Sequence, residues 1–199
     1  METHFSRREW LLWTLGGALA WFLFHPRGSS MAIDSLQFTS GAALFTTLQC
    51  LVLGRAVPEF RAQVLWLTSA ALWLFAGIGF WMLPWRFWSE SLSEFVFLGG
   101  LAVLWLATGL LQRAALRPLR EGTQAWLVVP LGAACLAMLL TLQVHVTVLR
   151  AAWPTSVSWQ QFFAFQGTLF GLFYGAVTGA LAYAMLARRV VEHSARERA

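Results

Sequence analysis

Six stretches of this chain, residues 10–24, 38–54, 64–83, 95–111, 126–149 and 162–186, contain no Asp, Glu, Lys or Arg. Each is close to the roughly 17–25 residues that a helix needs to cross the hydrocarbon core of a bilayer. In hydrocarbon every backbone N–H and C=O must find its partner inside the protein, so stretches of this kind form helices rather than open strands. The chain is therefore expected to be an all-α integral membrane protein, with six transmembrane helices in one domain spanning 1–199. The first stretch is the shortest, and reaches a full span only if its helix extends back to Ser6. Composition agrees: 58% of residues are hydrophobic and 12% charged, against roughly 25% charged in soluble domains.

The basic residues orient the expected bundle. All fourteen are Arg. With six spans both termini share a side, and that side holds Arg7, Arg8, Arg55, Arg61, Arg113, Arg117, Arg120, Arg188, Arg189, Arg196 and Arg198. The other side holds only Arg27, Arg86 and Arg150. The positive-inside rule then puts both termini in the cytoplasm of a bacterial inner membrane. The net charge of +5 is dispersed through short connectors, so nucleic acid is not an expected partner.

Tryptophan favours the headgroup level. Trp10, Trp13, Trp66 and Trp126 fall near the arginine-rich ends of the stretches and Trp21, Trp81, Trp85, Trp88, Trp153 and Trp159 near the opposite ends. They are expected to form two interfacial belts, with only Trp73 and Trp105 near mid-membrane. Ser6-Arg7-Arg8 at the start looks like a twin-arginine export signal. The apolar run continues through Trp21-Phe22-Leu23-Phe24, so an uncleaved first helix anchored by arginines is the expectation.

The odd-numbered stretches share a frame. Trp10-Leu11-Leu12-Trp13-Thr14 aligns with Val64-Leu65-Trp66-Leu67-Thr68 and with Trp126-Leu127-Val128-Val129-Pro130, and Gly41-Ala42 through Arg55 aligns with Gly175-Ala176 through Arg189. The unit is an out-and-back helical hairpin present three times, at 6–55, 62–113 and 124–189. On these features the chain resembles bacterial polytopic membrane proteins built from tandem Gly/Ala/Trp-rich helical hairpins. That resemblance implies no activity and transfers no functional residue.

Gly167, Gly171, Gly175 and Gly179 recur at every fourth residue of the last stretch. Lipid tails are as apolar as leucine, so helices in a membrane associate by close backbone approach, and glycine rows permit it. The row is expected to pack tightly on another helix of this chain. The second reading is a membrane-protein partner, or a second copy of the chain, docked on the sixth helix.

Candidates for chemistry are few. No carboxylate, lysine or arginine lies within a span, which disfavours a proton-driven pump, and no nucleophile elbow, phosphate loop, zinc-helix motif or dinucleotide fingerprint appears. Cys50 and Cys135 lie in different stretches and are expected to behave as small hydrophobes. His25 and His145 share the arginine-poor side, where Asp34, Glu90 and Glu94 are expected in loops. Their spacing matches no metal or haem motif, so no cofactor or metal is expected. Ser91 and Glu94 form a capping-box pattern for the fourth helix. The aromatic connectors around 83–88 and 153–159 are expected to lie in the interface.

These readings favour a non-enzymatic structural or accessory subunit of a membrane assembly. Two alternatives stand beside it. Six helices, cytoplasmic termini and about 200 residues resemble the substrate-binding subunits of energy-coupling-factor vitamin transporters. Their first-helix Ala-x-x-x-Ala docking step corresponds to Gly16 and Ala20 here, with Gly in place of the first Ala. That resemblance implies a small-molecule pocket, for which Asp34, Gln143, His145 and Trp153 are the candidates. The other alternative is a cofactor- or pigment-binding subunit using His25 or His145.

Overall fold

In a computed structural model, residues 6–26, 30–56, 59–117, 123–149 and 158–196 are described, and all regular structure among them is helical. The helices are α1 (Arg7–Leu23), α2 (Met31–Ala56), α3 (Phe60–Met82), α4 (Glu90–Leu116), α5 (Val129–Val144) and α6 (Trp159–Arg196). Five helical stretches are long and apolar enough to cross a membrane: Met31–Arg55, Phe60–Met82, Ser91–Leu116, Val129–Thr147, which joins α5 to the turn after it, and Gln161–Met185. The sixth, α1, has 17 residues, about 26 Å at 1.5 Å per residue, slightly less than the ~30 Å hydrocarbon core.

Local signals set the ends of the helices. Ser6 caps α1 with a reciprocal capping box, in which its hydroxyl accepts from Arg8 N–H while the Glu9 carboxylate accepts from Ser6 N–H at 2.8 Å. The first helix thus does extend back to Ser6, and the residues that mimic an export signal also carry a helix start. At α4 the cap is Ser89, whose hydroxyl accepts from Leu92 N–H. The pattern at Ser91 and Glu94 therefore lies inside the helix, because the nearer serine already satisfies the first free N–H groups. Asp34 likewise sits in the first turn of α2 rather than in a loop, and Glu90 and Glu94 lie within α4. The stretch 126–149 is not one uniform helix. It begins with a 3-10 turn at Thr123–Leu127, continues as α5 with Pro130 in its first turn, and ends in a π turn at His145–Leu149.

Consecutive helices neighbour one another around a closed ring, and α6 returns to lie along α1. The α1–α6 and α2–α3 pairs are the most intimate, whereas α4 and α5 touch least. Aromatic rings fill the middle. Trp88, Trp85, Phe80, Phe97, Phe38 and Trp105 follow one another from the arginine-poor end inward, with centroid separations of 5.6–6.4 Å. Tyr174, Phe45, Trp13, Trp66 and Trp126 carry the series on to the arginine-rich end, each step from Trp105 onward between 5.1 and 6.5 Å. Most of these pairs are edge-on or tilted, the arrangements that the ring quadrupole favours. No aromatic residue lies in α5.

This filling corrects the belt expectation for four tryptophans. Trp13, Trp21, Trp66 and Trp126 are at most 1% exposed, so they face other helices and not the headgroups. Large side chains that do face outward, such as Phe75, Met82 and Phe95, lie on the outer surfaces of α3 and α4, as apolar solvation of a membrane helix requires.

Candidate functional site

The residues singled out for binding meet most closely at the arginine-poor end of the bundle. His25 follows the C-terminal cap of α1, and its Nδ1 is 2.8 Å from the Phe22 carbonyl oxygen. A carbonyl only accepts, so Nδ1 is the donor in this contact. His145 opens the π turn after α5, and its Nδ1 is 3.2 Å from the side-chain nitrogen of Gln166 on α6. An amide nitrogen only donates, so here Nδ1 accepts and Nε2 bears the proton. The two imidazoles thereby play opposite parts at Nδ1: His25 donates there and His145 accepts.

One turn of α6 organises both. Phe162 meets the His145 ring edge-on at 5.0 Å, and Gln166, four residues on, bonds it. The adjacent Gly167 lies against His25: a Cβ on Gly167 would come within 2.8 Å of His25 Cβ and 2.9 Å of the Trp21 carbonyl oxygen. Consecutive residues of α6 thus touch the two histidines, which the sequence separates by 120 positions (145 − 25). Both imidazoles are half-buried.

The other pocket candidates are distributed differently. Asp34 is half-buried in the first turn of α2. Gln143 is exposed on α5, where its backbone carbonyl accepts from Thr147 Oγ at 2.7 Å. Trp153 lies outside the described residues. Among the described residues no group of three or more His, Cys, Asp or Glu side chains is arranged to hold a metal ion. The arrangement offers hydrogen-bond donors and acceptors beside an apolar ring, a setting for hydrogen bonding to a polar group.

Other polar groups in the spans bear on this end of the bundle or stand without partners. Gln166 was read only as part of a span, yet it fixes the His145 tautomer. Gln37 has a buried side-chain oxygen without a partner, and the fully buried Trp21 has an unpaired indole N–H. Uncharged polar residues inside apolar stretches carry the signal for such positions, since hydrocarbon gives them no partner of its own.

The glycine row runs on from Gly167 along the side of α6 that faces α1. Gly171 meets the Gly17 carbonyl, a Cβ on Gly175 would approach Thr14 Cα at 3.0 Å, and one on Gly179 would approach Trp10 Cδ1 at 2.9 Å. The row faces α1 of the same chain along about three turns. Indole hydrogen bonds reinforce the seam: Trp10 Nε1 donates to the Ala176 carbonyl at 3.2 Å and Trp13 Nε1 to Thr178 Oγ at 3.0 Å.

Comparison of the chain with protein families, curated proteins and solved structures finds no match.

Proposed function

We propose that this protein is a multi-pass bacterial inner-membrane protein with six spans and cytoplasmic termini, serving as a non-enzymatic structural or accessory subunit of a larger membrane assembly. The observation that carries this reading is the filled interior. Aromatic rings follow one another in successive contact from Trp88 to Trp126, and those from Trp105 to Trp126 are buried between the helices. A body packed in this way works through its outer faces. Purification from native membranes in mild detergent, after brief crosslinking, tests the reading: a stoichiometric protein partner is expected, and a free monomer without one overturns it. A tag in the connector at 57–58 tests the topology. It should be inaccessible from outside intact cells, and external accessibility of that tag together with protected termini would collapse the six-span map.

A second reading has one specific observation in its favour. His25 and His145 come to adjacent positions of α6 with opposite hydrogen-bonding character, which suits capture of a small polar molecule by the substrate-binding component of an uptake system. A thermal-shift screen with vitamins tests it. Stabilisation by one compound, lost in His145→Ala, supports uptake; no stabilisation by any of them rejects the vitamin version.

A further inference from the structure

Among the described residues, threonines in the α-helices behave uniformly, with one exception. Thr14, Thr39, Thr46, Thr47, Thr68, Thr141, Thr168 and Thr178 each donate to the carbonyl four residues back, at 2.7–2.9 Å. That local bond is the usual way for a hydroxyl to be satisfied inside a helix. Thr108 of α4 does not make it. Its side chain is 1% exposed and its Oγ has no protein partner.

The surroundings of Thr108 hold two more polar groups in the same condition. Trp66 and Trp73, both fully buried on α3, have indole N–H groups without a partner. Trp73 packs on Trp105 at 4.5 Å, while Trp66 packs on Trp126 at 6.2 Å, and Trp126 Nε1 is bonded to Gln112 Oε1 at 3.0 Å. Thr108 lies three residues after Trp105 and four before Gln112. It therefore falls in the layer between the two tryptophan pairs. From α3 the same layer receives Ser69, fully buried, whose hydroxyl proton goes to the Trp66 carbonyl at 2.6 Å and whose lone pairs remain available. The register of α3 and α4 thus brings to one depth of the bundle an unpartnered hydroxyl, a second hydroxyl able to accept, and two unpartnered indole donors.

Buried polar groups in folded proteins are hydrogen-bonded, and where the protein supplies no partner an ordered water commonly does. Indole is a donor only, so the shared partner must offer lone pairs; a hydroxyl is met by either kind of partner. The geometry points to a buried water site between α3 and α4, bound by Thr108 Oγ and Ser69 Oγ and by an indole N–H of Trp73 or Trp66. Water is the ligand that fits, because it accepts from indole, donates to a hydroxyl oxygen, and is the smallest molecule that does both. The site locks α3 to α4 at mid-depth, where no direct side-chain hydrogen bond joins the two helices among those described.

X-ray radiolysis, which turns bound water into hydroxyl radical in place, followed by mass spectrometry of the detergent-solubilised protein, tests the site. Trp13 is the internal control, since it is equally buried but has its N–H bonded to Thr178. Oxidation of Trp66 or Trp73 is expected to run several-fold faster than that of Trp13, and to fall to the Trp13 rate in Thr108→Val. Equal rates in the wild-type protein overturn the proposal, and this arm stands even if the variant fails to fold. Stability supplies the sign. Removing a truly unpaired hydroxyl leaves stability unchanged or raises it, whereas removing one that holds a bound water lowers Tm, here by about 2–4 °C, with Thr108→Ser retaining the wild-type value. An unchanged or higher Tm in Thr108→Val counts against the site.

Discussion

Gly17 and Gly171 pack backbone against backbone, the carbonyl oxygen of each occupying the space that a side chain on the other would fill. This reciprocity sets the separation of α1 and α6, and it allows Trp10 and Trp13 to reach carbonyl and hydroxyl acceptors on α6. A helix slightly too short for a comfortable span is thereby fixed to the longest helix in the bundle.

Substitution at Gly171 should be costly because neither backbone can yield without opening the seam. Gly171→Ala is expected to destabilise by about 2 kcal/mol, at the overpacking scale of core positions. Gly132 on α5 has nothing within 4 Å of where its Cβ would lie, so Gly132→Ala should stabilise by up to about 1 kcal/mol through helix propensity. Thermal unfolding of the two variants in detergent checks the opposite signs; equal effects would contradict the close approach.

The start of α1 should be sensitive to acid. Hydrogen bonding from Ser6 holds the Glu9 carboxyl below its ordinary range. A carboxyl lowered on folding contributes stability that is present above its unfolded pKa and is lost as pH falls through the folded value. Ser6→Ala is therefore expected to cost about 1 kcal/mol near neutral pH, with the gap from wild type closing on acidification below the usual carboxylate range. Tm measured against pH for both proteins decides it, and a gap independent of pH would show that Glu9 plays no part.

Trp126 and Gln112 form a buried pair at 3.0 Å that ties the 3-10 turn to α4. Trp126→Phe leaves the Gln112 amide buried without its donor and should cost about 1–3 kcal/mol. Adding Gln112→Met removes the unpaired group and should restore part of the loss. A double variant no more stable than Trp126→Phe alone would mean that ring packing, not the hydrogen bond, dominates there.

The two cysteines should differ in reactivity toward a membrane-permeant maleimide. Cys135 is exposed on the outer face of α5, whereas Cys50 is buried with its Sγ 3.7 Å from the Gln63 carbonyl oxygen. In folded protein in detergent, single-cysteine variants are expected to label at Cys135 well before Cys50. Faster labelling of Cys50 would place α2 and α3 further apart than described.

Sequence alone determined the helical class and the approximate places where helices lie, because excluding charge from hydrocarbon leaves long unmistakable runs and because backbone groups there have only the helix to satisfy them. It also marked Gly167, Gly171, Gly175 and Gly179 as a packing row, since four-residue spacing keeps them on one drifting face. Which helix that row meets was decided by tertiary structure, for any neighbouring backbone would fit a row of missing side chains. The fate of the tryptophans was decided there too: position along a helix fixes depth, but only the facing of the helix settles whether Trp13 or Trp21 points to headgroups or to the core. The pairing of His145 with Gln166 and the unpartnered hydroxyl of Thr108 belong to the same class, since hydrogen bonds between helices depend on register and rotation that no single stretch encodes.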